Sequence, residues 1–113
     1  MLIRSDQTAA LHAALLDRAN LVLVGHLRRR FPTHLRHSDD ELISLVAQAR
    51  SVAANYGVSR EDNVVTFVEL SVMYGQDFHE RDWARDILSS RLLHGPDKIA
   101  LLRHLVSQWS LDF

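Results

Sequence analysis

The segment from Ser59 to Gly75 constrains the fold most strongly, because its apolar residues point in every direction when it is drawn as a helix. A helix that is apolar on all sides must be covered on all sides by other elements. Its β-branched residues favour a strand instead, but the segment is longer than a usual strand of about 5–6 residues. Asp62 follows Ser59 at the spacing of an N-cap pairing, and Gly75 stands where a helix would end. We therefore predict a hydrophobic central helix over roughly residues 60–75.

Length and composition narrow the class of protein. The chain has 113 residues, no cysteine and a formal net charge of −1. A chain of this length is expected to form one domain, so we predict a single helical domain over residues 1–113. The lack of cysteine excludes disulfides and thiolate chemistry, and the balanced charge gives no general attraction to nucleic acid. No uncharged run approaches the ~20 residues of a membrane span, and we predict a cytoplasmic protein without membrane contact.

Four more helices are predicted around the central one. The first runs from Ser5 to Phe31 and ends at Pro32. A second is bounded by a capping-box spacing and by a glycine, a short one follows the central helix, and a last one begins near a proline. The pattern predicts an all-α bundle of about five helices. These three later helices involve Ser38, Glu41, Tyr56 and Gly57, then Trp83, Ile87 and Leu88, and finally Pro96, Ile99, Leu102, Val106 and Trp109.

The first helix carries two apolar stripes on roughly opposite sides. Either the helix lies between two layers of its own domain, or one stripe faces a partner or a second copy of the chain. We choose the second stripe as the partner-binding surface, flanked by Arg28 and Arg30, because apolar anchors and arginines supply most of the binding energy in such interfaces. The first stripe consists of Leu11, Ala14, Leu15, Val22 and Gly25 with Leu21 at its margin, and the second of Leu16, Leu23 and Leu27.

No catalytic or metal-binding motif is present in the pattern of polar residues. His34 and His37 are three residues apart, but Pro32 makes a regular helix there doubtful. His79 and Glu80 begin like a zinc-protease signature, yet Trp83 stands where the second histidine is required. We therefore predict a protein that is not an enzyme and that holds no metal and no cofactor.

Glu69 is the one acid that stands among the apolar residues of the central helix, beyond the acidic residues at its start. A buried and unpaired carboxylate would be costly. Glu69 therefore either reaches the surface or pairs with an arginine such as Arg50 or Arg85, or it serves as a recognition residue on a groove. We include it among the candidate partner-binding residues.

A basic segment over residues 28–36 supplies a second hypothesis. Its arginines offset the negative end of the first helix, but Arg28, Arg29, Arg30 and Arg36 could also contact phosphates. The alternative function is therefore a small nucleic-acid-binding regulator. We do not favour it, because acids follow at once in residues 39–41.

Residues 55–88 contain a Tyr-Gly turn, an acidic helix start, a hydrophobic helix, a Gly-x-Asp-Phe turn and a Trp-Ala pair. In these features the chain resembles small all-helical bacterial proteins of type VI secretion and polymorphic-toxin gene clusters. The resemblance implies a protein-binding role as an immunity protein, an effector chaperone or an adaptor, but it transfers no functional residues. The residues that carry it include Tyr56, Gly57, Glu61, Asp62, Phe67, Gly75, Asp77, Phe78, Trp83 and Ala84.

These observations together predict a non-catalytic protein–protein interaction module. Its expected partner is a toxin, an effector or a secretion component, or a second copy of the chain as a homodimer.

Overall fold

The computed structural model describes residues 5–33 and 35–109, with the side chains of α1 described from residue 10 onward. His34 lies outside the described residues. The described residues form five α-helices and one 3₁₀ turn, with no strand among them, and the predicted all-α fold is confirmed. The elements are α1 (Ser5–Arg30), α2 (Asp39–Asn55), α3 (Glu61–Tyr74), the 3₁₀ turn (Phe78–Glu80), α4 (Asp82–Leu88) and α5 (Gly95–Trp109).

The contacts of the chain divide it into two compact units, Met1–Ala47 and Gln48–Phe113. The boundary falls inside α2, and the single domain expected over residues 1–113 stays a prediction.

In the first unit, the predicted capping box starts α2. The backbone N–H of Glu41 donates to Ser38 Oγ at 3.2 Å, and the backbone N–H of Ser38 donates to Glu41 Oε1 at 3.2 Å. The bond from the Ser38 backbone N–H lowers the pKa of Glu41, because it stabilises the carboxylate.

In the second unit, α3 is the covered helix that its sequence requires. No residue from Asn63 to Gly75 is exposed. The helix contacts α5 and the 3₁₀ turn, and α4 contacts these same two elements. The apolar residues on every side of α3 therefore have cover, which confirms the helix predicted near residues 60–75.

Two glycines end helices in this unit as predicted. Gly57 has a φ of 78° and follows α2. Its N–H donates to the carbonyl oxygen of Ala54 at 3.0 Å, and the N–H of Val58 donates to that of Ala53 at 3.0 Å, which is the bonding of a Schellman motif. Gly75 ends α3 with a φ of 102°.

The predicted cap of α3 at Ser59 is wrong. The N-cap is Arg60, whose side chain makes no capping hydrogen bond. The backbone N–H of Val64 donates to the carbonyl oxygen of Arg60 at 2.9 Å. The Asp62 carboxylate accepts from the Arg60 guanidinium at 2.9 Å, so it does not act together with Ser59.

The predicted anchor of α4 is shifted by one residue. Ala84 and Leu88 are the buried residues of α4, whereas Trp83 and Ile87 are half-buried. Trp83 packs instead into an aromatic cluster, where its ring lies edge-on to Trp109 with centroids 4.8 Å apart. The predicted stripe of α5 is correct except at Trp109, which is 50% exposed.

The start of α5 lies close to the turn that follows α2. A Cβ atom on Gly95 would clash with the carbonyl oxygen of Gly57. The Lys98 ammonium is buried nearby and donates to the carbonyl oxygen of Tyr56 at 2.8 Å. Only glycine therefore allows this approach of α5 to the turn.

A candidate protein-binding surface on α1

The two apolar stripes of α1 have opposite environments. Leu23 and Leu27 are 2% and 0% exposed. The prediction that they form a surface stripe for a partner is wrong, because their side chains are part of the core. Their side of α1 also carries Asn20, Val24 and Phe31, which are buried as well.

The exposed side chains belong mostly to the stripe that we did not choose. Every residue from Ala10 to Arg18 is exposed, so this part of α1 is open around its whole circumference. Leu16 is the one leucine of the chosen stripe that remains accessible, and it lies on the side of α1 roughly opposite to Leu11 and Val22. We call the following four residues the α1 apolar surface: Leu11 (63% exposed), Leu15 (60%), Leu21 (56%) and Val22 (65%).

The α1 apolar surface offers enough burial to support binding. Its exposed fractions amount to roughly two and a half fully exposed aliphatic side chains, which at ~1.5–3 kcal/mol each could contribute about 4–7 kcal/mol on burial. Association itself costs roughly 4–15 kcal/mol. A partner must therefore bring apolar surface of its own.

The charged residues beside this surface are few. Asp17 and Arg18 are both exposed and adjacent in the middle of α1. They are the only Asp, Glu, Lys or Arg residues between Ala10 and Leu27. These two therefore decide which charges a partner can place opposite the centre of the surface.

Arg28 and Arg30, which we predicted as flanking anchors, lie at the end of α1. The Arg28 guanidinium donates to Asp39 Oδ1 at 2.6 and 3.0 Å and to the carbonyl oxygen of His37 at 2.9 Å, so it ties the end of α1 to the start of α2. Arg30 is exposed and its guanidinium lies 5.2 Å from the centre of the Phe31 ring. Their contact with a partner stays a prediction.

The rest of the basic segment is open, but it does not form a concentrated cationic site. Arg29 and Arg36 are exposed, while Arg28 is neutralised by Asp39. An open groove of about 170 Å³ lined by Arg28, Phe31, Pro32 and Leu35 lies here, below the ~300–1,000 Å³ usual for small-molecule sites. The nucleic-acid hypothesis stays a prediction that no contact in the structure favours.

Glu69 is half-buried in α3 and is not without a partner. Of the two arginines considered for it, Arg50 bonds to Glu61 at 2.6 and 2.9 Å and Arg85 bonds to Asp82 at 2.8 Å, and a pairing of Glu69 with Arg50 stays a prediction. The Arg50 guanidinium lowers the pKa of Glu61 through these hydrogen bonds. Recognition by Glu69 stays a prediction.

Among the described residues, no group of three or more His, Asp or Glu side chains is placed to hold a metal ion. None of the described helices combines the length and the apolar character needed to cross a membrane. Comparison of the chain with protein-family models, with curated proteins and with solved structures found no match.

Proposed function

We propose that this protein is a non-catalytic protein-binding module and that it binds through the α1 apolar surface. One observation carries the proposal: four large aliphatic side chains are exposed on one side of a single helix within twelve residues. Scattered exposed leucines are ordinary on a protein surface, but a contiguous apolar patch marks an interaction site.

Within this class, we propose that the protein binds a toxin, an effector or a secretion component of a bacterium, a second copy of the chain, or both. The chain would then act as an immunity protein, an effector chaperone or an adaptor. Support for this finer role comes only from the resemblance of residues 55–88, and the identity of the bound protein distinguishes the three roles. An immunity protein would inhibit a bound toxin, whereas a chaperone or an adaptor would leave its activity intact.

The test is a quantitative affinity-tag pull-down from the cells that naturally produce the protein, read by mass spectrometry. Wild type is compared with Leu11→Glu, which places a charge on the α1 apolar surface. Leu92→Glu is the matched control, because Leu92 is 93% exposed and lies outside α1. Circular dichroism establishes that both variants keep the helical content of wild type.

We expect a stoichiometric protein, which includes an untagged copy of the chain itself, to be retained by wild type and by Leu92→Glu. Leu11→Glu should recover at least about tenfold less of this protein than wild type does, since burying an unpaired carboxylate in the interface is costly. Equal recovery with both variants would show that binding uses another surface. Recovery of the tagged chain alone with all three proteins would contradict the proposed function.

A further inference from the structure

We infer that the α1 apolar surface binds a second copy of this chain, with the two α1 helices antiparallel and paired about a two-fold axis near residue 16. The inference rests on the proposed function, because it names the partner of the same surface. Its evidence is the spacing of exposed residues on α1 together with the position of two opposite charges.

The exposed face of α1 has the repeat of a helix-pairing seam. Leu11, Ala14, Arg18, Leu21 and Gly25 follow one another at intervals of three and four residues. This is the spacing of the a and d positions in a seven-residue repeat, which keeps one seam turned toward a partner helix. All five residues are exposed or half-buried, so the seam is open for pairing over about 21 Å of helix at 1.5 Å per residue.

The charges on this face favour the antiparallel orientation of the two α1 helices. In a parallel pair, Arg18 would lie against Arg18 of the second copy, and the like charges would repel. In an antiparallel pair about residue 16, Arg18 instead lies opposite the small Ala14 of the second copy. Asp17 of that copy is then less than one helical turn away, within reach of the long arginine side chain. The symmetry creates this Asp17–Arg18 pair twice.

The side-chain sizes fit the same register. Leu11 of each copy lies opposite Leu21 of the other, which places an apolar pair at each side of the charged centre. Leu15 and Val22 border the seam on the side away from Asp17, where they extend its apolar surface. A two-fold pair also satisfies the need for apolar surface on both partners, because each copy brings an identical surface and the buried area is doubled.

The first test measures mass in solution by sedimentation equilibrium over a wide range of concentrations. Wild type should dimerise, and Arg18→Asp or Asp17→Arg should each weaken the dimer by about tenfold or more, since each brings like charges together. The double variant D17R/R18D restores opposite charges and should return the dissociation constant to within about threefold of wild type. This rescue distinguishes pairing across the axis from a loss of structure.

The second test fixes the orientation by disulfide cross-linking, for which the chain has no cysteine to interfere. A Leu11→Cys chain mixed with a Leu21→Cys chain should form the mixed disulfide readily. Leu11→Cys alone should not, because its two cysteines would be about 15 Å apart along the antiparallel pair. Efficient self-cross-linking of Leu11→Cys would overturn the antiparallel arrangement.

The failure of this inference is separable from failure of the proposed function. A monomeric mass at every concentration would overturn the second-copy proposal. If that monomer still captured a foreign protein in a manner sensitive to Leu11→Glu, the binding function would stand. A dimer whose dissociation constant is unchanged by Arg18→Asp would also overturn the proposed pairing.

Discussion

Because α5 lies close to the turn after α2, we expect alanine substitutions at Gly25 and Gly95 to have opposite effects on stability. Gly25 lies in the interior of α1, where alanine is favoured over glycine by about 1 kcal/mol, and Gly95 is the first residue of α5. A new Cβ on Gly25 would meet only the flexible end of Arg29, at 3.4 Å, whereas one on Gly95 would clash with the Gly57 backbone. We expect Gly25→Ala to stabilise the protein by up to ~1 kcal/mol and Gly95→Ala to destabilise it by about 1–3 kcal/mol, the usual cost of overpacking.

The measurement is urea unfolding followed by circular dichroism, at a protein concentration low enough that the midpoint of wild type no longer depends on dilution. The two variants should move the midpoint in opposite directions with little change in the dependence on urea. A Gly95→Ala variant as stable as wild type would show that the close packing of α5 on the turn is not a feature of the protein. The expected clash between a Cβ atom at position 95 and the Gly57 carbonyl oxygen would then be wrong.

Three further contrasts follow from the same structure, each measured by urea unfolding of the dilute protein. Leu23→Ala should lower the free energy of unfolding by about 2–5 kcal/mol, because it opens a cavity in the core. Leu21→Ala should change it by no more than ~0.5 kcal/mol. Equal effects of the two variants would contradict the assignment of a buried and an exposed stripe. Ser38→Ala should lower the free energy of unfolding by about 1 kcal/mol, because α2 loses its N-cap. Ser59→Ala should leave it almost unchanged, and a large decrease would show that Ser59 caps α3 after all. Glu61→Gln should lower stability at pH 7 by about 0.5–1 kcal/mol, since its ion pair is partly exposed. The native pKa of Glu61 is lowered, so this contribution is present above the ordinary glutamate pKa of about 4.3 and is lost as the pH falls through the native value; a difference from wild type that persists in acid would contradict it.

Features set by local sequence were predictable. The capping box at Ser38, the positive φ of Gly57 and the helix stop at Gly75 follow from chemistry within a few residues of each position. For α3, apolar residues on every side required cover on every side, and the structure provides it.

The choice between the two stripes of α1 was not predictable in the same way. Both stripes are aliphatic, and periodicity alone does not say which one other elements will cover. Leu23 and Leu27 are buried and Leu11 and Leu15 are exposed, a difference that the spacing of the residues within α1 does not contain. One signal in the sequence did favour the outcome: Phe31 extends the stripe of Leu27 by four residues, whereas Gly25 and Arg29 end the other stripe with no large apolar side chain.

Two further predictions, the cap of α3 and the anchor of α4, are each wrong by one residue. Ser59 has the right spacing for a cap, but α3 begins one residue later, after Arg60. Trp83 and Ile87 share a face of α4, but Ala84 and Leu88 are the buried residues, and Trp83 packs edge-on to Trp109.

The most direct test of the central claim is protection of the α1 apolar surface when the protein assembles. A single thiol is introduced by Leu21→Cys, or by Leu92→Cys as the control, and its labelling rate is measured in the dilute protein and again in the assembled state recovered by sedimentation or pull-down. We predict that assembly slows the labelling of Leu21→Cys at least about tenfold and leaves that of Leu92→Cys unchanged. Equal labelling of Leu21→Cys in the dilute and assembled states would contradict the claim that α1 is the binding surface.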